Sequence, residues 1–109
     1  MQKEAVLTGL GYVANEALMK QLEKIETNTV GYEKIIKHIL DLHEHLKVDD
    51  SFVAMSNSED YLKIKVEAPS QERAEEAHEK IQHFSEKYKV KVQKLDNKNT
   101  YYILGFDIQ

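Results

Sequence analysis

The sequence predicts an α+β domain: an N-terminal helical hairpin, then a ββαββ unit with a four-stranded, mainly antiparallel sheet and one helix on its apolar face. Three observations predict it. Ala74, Ala77, Ile81, Phe84 and Tyr88 recur at three- and four-residue intervals, which makes one stripe of a helix. The segments on either side of that helix alternate apolar and polar residues and turn back on themselves. Ahead of them, residues 5–48 carry two further helical stripes.

The first helix is expected over residues 5–26, where Leu7, Leu10, Ala14, Leu18, Leu22 and Ile25 share a face. Gly9 and Gly11 weaken its first turns by about 1 kcal/mol each against alanine, so the first dozen residues fray or run extended. The Gly-Leu-Gly run is no dinucleotide fingerprint, because it lacks the preceding strand and the third glycine. Glu26 to Gly31 breaks the pattern with turn residues. A second helix follows from Tyr32 to Val48, with Tyr32, Ile35, Ile36, Ile39, Leu40, Leu42 and Leu46 on one side. Its far side carries Glu33, Lys37, Asp41 and His45 as i,i+4 partners. Two such helices on a short link pack as an antiparallel hairpin.

Phe52 to Ser56 and Tyr61 to Ala68 read as paired strands around the turn Asn57–Asp60. Val53 and Met55 share the apolar face of Leu62, Ile64 and Val66. Pro69 stops the second strand, and Ser70 caps the helix that follows. Its alanines let the backbone sit close to the sheet. In the last hairpin, Asp96 to Thr100 fits a three-residue loop with Asn99 left-handed. That register pairs Val90 and Val92 with Phe106 and Leu104, continues the apolar face to Tyr102, and turns Tyr101 and Ile103 outward. The strands flanking the central helix run the same way without needing to be neighbours.

Composition bounds the function. At 109 residues the chain is one domain, with parts 1–50 and 51–109 forming a compact unit or a dimer-forming pair. No cysteine is present, which excludes disulfides and thiol catalysis. The N-terminus lacks a basic leader followed by an apolar run, and no apolar stretch approaches the ~20 residues of a membrane span, so a cytoplasmic protein is expected. Net charge is −4, with 6 Lys against 11 Asp/Glu in residues 1–60 and 9 Lys/Arg against 8 Asp/Glu in residues 61–109. The two parts therefore present different surfaces.

No motif names a reaction, and none implies a cofactor. His38, Asp41 and His45 project from one side of the second helix at i, i+3 and i+7, a geometry that can place two imidazoles and a carboxylate near one metal ion. A single helix offers too few ligands for a closed site, and the ordinary account is a solvated charge ladder. His43 sits on the apolar stripe, where a buried, hydrogen-bonded imidazole is the plain reading and a pH-sensitive interface the sharper one. No serine, histidine and acid combine into a nucleophile.

Two surfaces remain. The stripe of Tyr32, Ile35, Ile36, Ile39, His43 and Leu46 is broader than one helix covers, so it is expected to join two copies in a homodimer. Pairing through the final strand, Tyr101 to Ile108, is the competing route. The outer sheet face carries Tyr61, Lys63, Lys65, Lys91, Gln93 and Tyr101, rings and ammonium groups of the kind that hold single-stranded nucleic acid. Its ordinary account is a half-solvated polar face. The leading expectation is a small protein-interaction or regulatory module that self-associates through the helices. A nucleic-acid-binding module ranks second, and a metal- or ligand-dependent enzyme third.

Overall fold

The structure, a computed structural model, describes residues 1–107. Helices α1 (Lys3–Gly9), α2 (Glu16–Asn28) and α3 (Tyr32–Leu46) lead into a 3₁₀ turn at Lys47–Asp49. Strands β1 (Phe52–Met55) and β2 (Leu62–Lys65), helix α4 (Gln71–Tyr88), and strands β3 (Val90–Lys94) and β4 (Thr100–Phe106) follow. The α+β class and the order of helices before a ββαββ unit are as the sequence predicts. The sheet order is β1-β2-β4-β3, and every neighbouring pair is antiparallel. With β4 inserted between them, β2 and β3 run the same way.

The single helix expected over residues 5–26 is two helices. Gly11 has φ +92°, which a side chain disfavours, and Tyr12 N–H turns back to Leu7 C=O at 2.9 Å. The helix restarts where the Asn15 side chain accepts the Leu18 N–H at 2.8 Å. Ser70 caps α4 in the same way, accepting from Arg73 N–H at 3.3 Å.

The stripe of α3 is buried inside its own chain. Ile35, Ile39 and Leu46 have no exposed surface, and Tyr32, Ile36 and His43 have at most 4%. α4, β1, β4 and α1 pack against α3 and cover it. The expected homodimer surface of Tyr32, Ile35, Ile36, Ile39, His43 and Leu46 is therefore core, closed to a second copy in the folded chain. The stripe is expected to need a second copy to cover it, whereas α3 leans chiefly on α4 and β1 of its own chain. One core cluster joins residues from both halves, from Val6 and Leu22 through Ile39 to Ile64, Phe84 and Ile103.

β1 forms one edge of the sheet, and side chains close it. Val53 N–H donates to His43 Nδ1 at 3.0 Å, and Met55 N–H donates to the Tyr12 hydroxyl at 3.0 Å. Those donors are thus unavailable to another strand.

The last hairpin departs from the expected register. Lys94 pairs with Tyr101 and Val92 with Ile103, and Leu95 N–H meets Thr100 C=O at 2.9 Å. The loop therefore holds four residues, Asp96 to Asn99, and Asn97 rather than Asn99 is left-handed, at φ 59°. Leu104 is then the extra residue of a bulge, beyond which Val90 meets Phe106 as predicted. Gly105 makes the bulge possible: its φ is +144°, and an added Cβ would lie 2.7 Å from Val30 O. Val30 C=O accepts the Phe106 N–H at 2.7 Å, tying the α2–α3 turn to the end of β4. Ile103 is fully buried, not outward, and Tyr101 lies under α4. Ile108, included in the predicted final strand, lies outside the described residues.

Candidate functional site

The helices pack on the face that carries Val53, Met55, Leu62, Ile64 and Ile103. The opposite face is open. Its strand register sets Ala54, Lys63, Tyr102 and Gln93 in one cross-strand row, and Phe52, Lys65 and Thr100 in another. Tyr61 sits diagonal to Tyr102, with ring centroids 5.6 Å apart. The Ser58 and Tyr102 hydroxyls lie 3.3 Å apart, which fixes the tip of that ring. Lys91, next to Gln93 in outward order, is exposed.

The outward positions of the four strands hold Lys63, Lys65 and Lys91 and no carboxylate. Glu67, just past β2, lies 3.4 Å from Lys65 Nζ and shares that charge. The acidic helical half of the chain packs on the far side of the sheet. The face is thus a ring pair inside a lysine frame, and it can stack flat groups while neutralising anions.

Five of the six residues expected on this face, Tyr61, Lys63, Lys65, Lys91 and Gln93, are there. Tyr101 is not. Its hydroxyl bonds His78 Nδ1 on α4, with the rings 5.6 Å apart. Burial raises the Tyr101 pKa, while burial first and Lys94 second lower that of His78. Tyr102 takes the vacated outward place, because the four-residue loop moves the near half of β4 by one residue. Phe52 also belongs to the face and was missed, since its short strand was read only for its buried side.

The structure does not gather His38, Asp41 and His45 around one point. The His38 ring is stacked on Tyr88 at 3.7 Å and 13°, while Asp41 and His45 are exposed further along the helix. Among the described residues no group of three or more His, Cys, Asp or Glu side chains is arranged to hold a metal ion. The three residues instead line one wall of a groove of about 340 Å³ between α3 and α4.

His43 is buried with its Nδ1 lone pair spent on Val53 N–H, and burial, with Lys47 beside it, holds its pKa below the usual histidine value. Asp49 is 1% exposed and meets Lys80 Nζ at 2.7 Å. That ammonium lowers the Asp49 pKa, whereas the neighbouring Asp49 carboxylate raises that of Glu76. The network locks the 3₁₀ turn to α4 and is structural. Among the described residues no helix is long and apolar enough to cross a membrane. Compared with protein-family models, with curated proteins and with solved structures, the chain matches none.

Proposed function

We propose that the chain is a binding module that works through the open face of its sheet, and that the partner this face fits is single-stranded nucleic acid. The observation that carries the reading is the Tyr61–Tyr102 pair, 5.6 Å between centroids, set among Lys63, Lys65 and Lys91 on a face without helices. Half-buried rings side by side on the open face offer stacking to unpaired bases, and the lysines offer charge to the phosphates between them. The chain's net charge of −4 opposes nucleic acid only where the acidic residues lie, and those of the N-terminal helices are on the other side of the sheet. Self-association through α3 is the weaker reading, because its stripe is already buried at 0–4% exposure. A cytoplasmic setting suits a chain without cysteine.

Fluorescence anisotropy with labelled single-stranded DNA and RNA tests the proposal, with duplex DNA and polyglutamate as controls. Saturable binding of single strands, weakened by Tyr61→Leu and by Tyr102→Leu, is the expected result. Equal binding of polyglutamate would mean that the face reads charge alone, and no saturable binding would end the proposal.

A further inference from the structure

The groove between α3 and α4 is a second site, separate from the sheet face. The two helices run antiparallel here: His38 stacks on Tyr88 at one end, and Lys80 donates to the His45 carbonyl at the other. The seven-residue step from His38 to His45 spans about 10 Å of helix. Leu42 and Phe84 are buried and floor the middle, and the His38–Tyr88 stack, 13° from parallel, closes one end as a flat wall. Phe84 meets the Tyr88 ring at 5.9 Å, so floor and wall form one aromatic corner.

The rim carries two ammonium groups, three imidazoles and one carboxylate. Lys80 is already held, 2.7 Å from Asp49 Oδ2 and 3.1 Å from the His45 carbonyl. Lys87 and His83, one helical turn apart on α4, make no hydrogen bond or ion pair among the described residues, nor does the His45 imidazole. The Lys87 ammonium lies 5.3 Å from the Tyr88 ring centroid, so it stands over the aromatic corner. Asp41 is the one carboxylate of the lining. Here an ammonium and two imidazoles, without hydrogen-bond or ion-pair partners among the described residues, surround a ring-lined floor of ligand size.

We propose that this groove binds a small aromatic anion, a phosphate monoester or carboxylate borne on a ring. The anionic group meets Lys87 and His83, whose donors make charge-assisted hydrogen bonds. The ring packs into the corner of Phe84, Tyr88 and His38. This site stands whether or not the sheet face binds nucleic acid.

Titration of the whole chain with phenyl phosphate and with benzoate, followed by NMR, tests it. Saturable shifts at His38, His45, His83 and Tyr88 are expected with at least one of the two probes, and the stronger binder tells phosphate from carboxylate. Lys87→Glu is expected to weaken that binding at least about tenfold. His83→Glu, equally exposed, is expected to act in the same direction and guards against a fold defect in one variant. The combined Lys63→Gln, Lys65→Gln and Lys91→Gln variant should bind as the parent does, which separates the groove from the sheet. Inorganic phosphate binding as tightly as phenyl phosphate would overturn the aromatic part. An absence of saturable shifts, or shifts indifferent to Lys87→Glu, would overturn the site.

Discussion

Replacing Lys63, Lys65 and Lys91 with glutamine should change how nucleic-acid binding responds to salt, not just its strength. A protein that neutralises phosphates releases condensed counterions, and for single strands the slope of log affinity against log salt is about −0.7 per phosphate. Three lysines on the open face give about −2, so a fourfold rise in salt lowers affinity about 18-fold. Lys65 is partly engaged by Glu67 at 3.4 Å. Counting only Lys63 and Lys91 gives about −1.4 and a sevenfold loss, so the parent should fall between about 7-fold and 18-fold. Each single substitution should flatten the slope by up to about 0.7, and the triple variant should remove that whole contribution. Tyr102→Leu should behave differently, losing about 1–3 kcal/mol of stacking at an unchanged slope. Tyr101→Phe should alter neither quantity, since its ring lies under α4 against His78. Anisotropy titrations at four salt concentrations read both quantities. A slope indifferent to the triple substitution would refute the assignment of these lysines to phosphates.

Lys80→Met should cost about 2 kcal/mol in urea unfolding, because it leaves Asp49, 1% exposed, without its ammonium; the value is below that of a fully buried pair because the Lys80 side chain is 36% exposed. A double variant with Asp49→Asn should lose less than the sum, and strict additivity would mean the pair is uncoupled. Gly105→Ala should cost about 3–5 kcal/mol, since a Cβ there would sit 2.7 Å from Val30 O at φ +144°. Gly11→Ala, at φ +92° with nothing within 4 Å, should cost only about 1–2 kcal/mol, and equal losses at the two sites would contradict the close approach of Val30. Stability should also fall on mild acidification. His43 and His78 both have folded pKa values below the ordinary 6.5, so the unfolded chain binds more protons between the two values. Their contribution is complete above about pH 6.5 and is lost as pH falls from there toward the folded values. A urea midpoint unchanged between about pH 7.5 and 5.5 would contradict this.

Much of the fold was legible because strong periodicity states which side of an element is buried. Val53, Met55, Leu62 and Ile64 alternate in sequence and are all at most 3% exposed. The sequence marks the stripe of α3 for burial without naming its cover. A stripe reports how much apolar surface must be hidden, not what hides it. Here α4 and β1 do most of the hiding, contacts made across long stretches of chain that no local pattern encodes. The break between α1 and α2 was half visible, since Gly9 and Gly11 marked weak turns while the continuing stripe argued for one helix. Asn15 tipped the balance by supplying a new cap. The groove between α3 and α4 was half visible too: His38, Asp41 and His45 named one wall, and only the packing of α4 brought His83 and Lys87 opposite.

The composition of the working face turned on one residue of loop. Strand side chains alternate with period two, so a shift of one exchanges the faces, and Tyr101 and Tyr102 change places. Asp96-Asn-Lys-Asn99 suits either register locally, because Asn97 and Asn99 are equally able to take a left-handed turn. The choice is made elsewhere. β2 pairs Leu62 with Ile103, which carries Ile103 into the core at 0% exposure. The far end keeps Val90 against Phe106, since Phe106 N–H is held by Val30 C=O. Both demands are met only if β4 contains one residue more than β3, and Gly105 lets that bulge form against the Val30 backbone. A glycine inside an alternating strand was the one sequence signal of it. The same bulge that admits Ile103 to the core therefore delivers Tyr102, not Tyr101, to the face beside Tyr61.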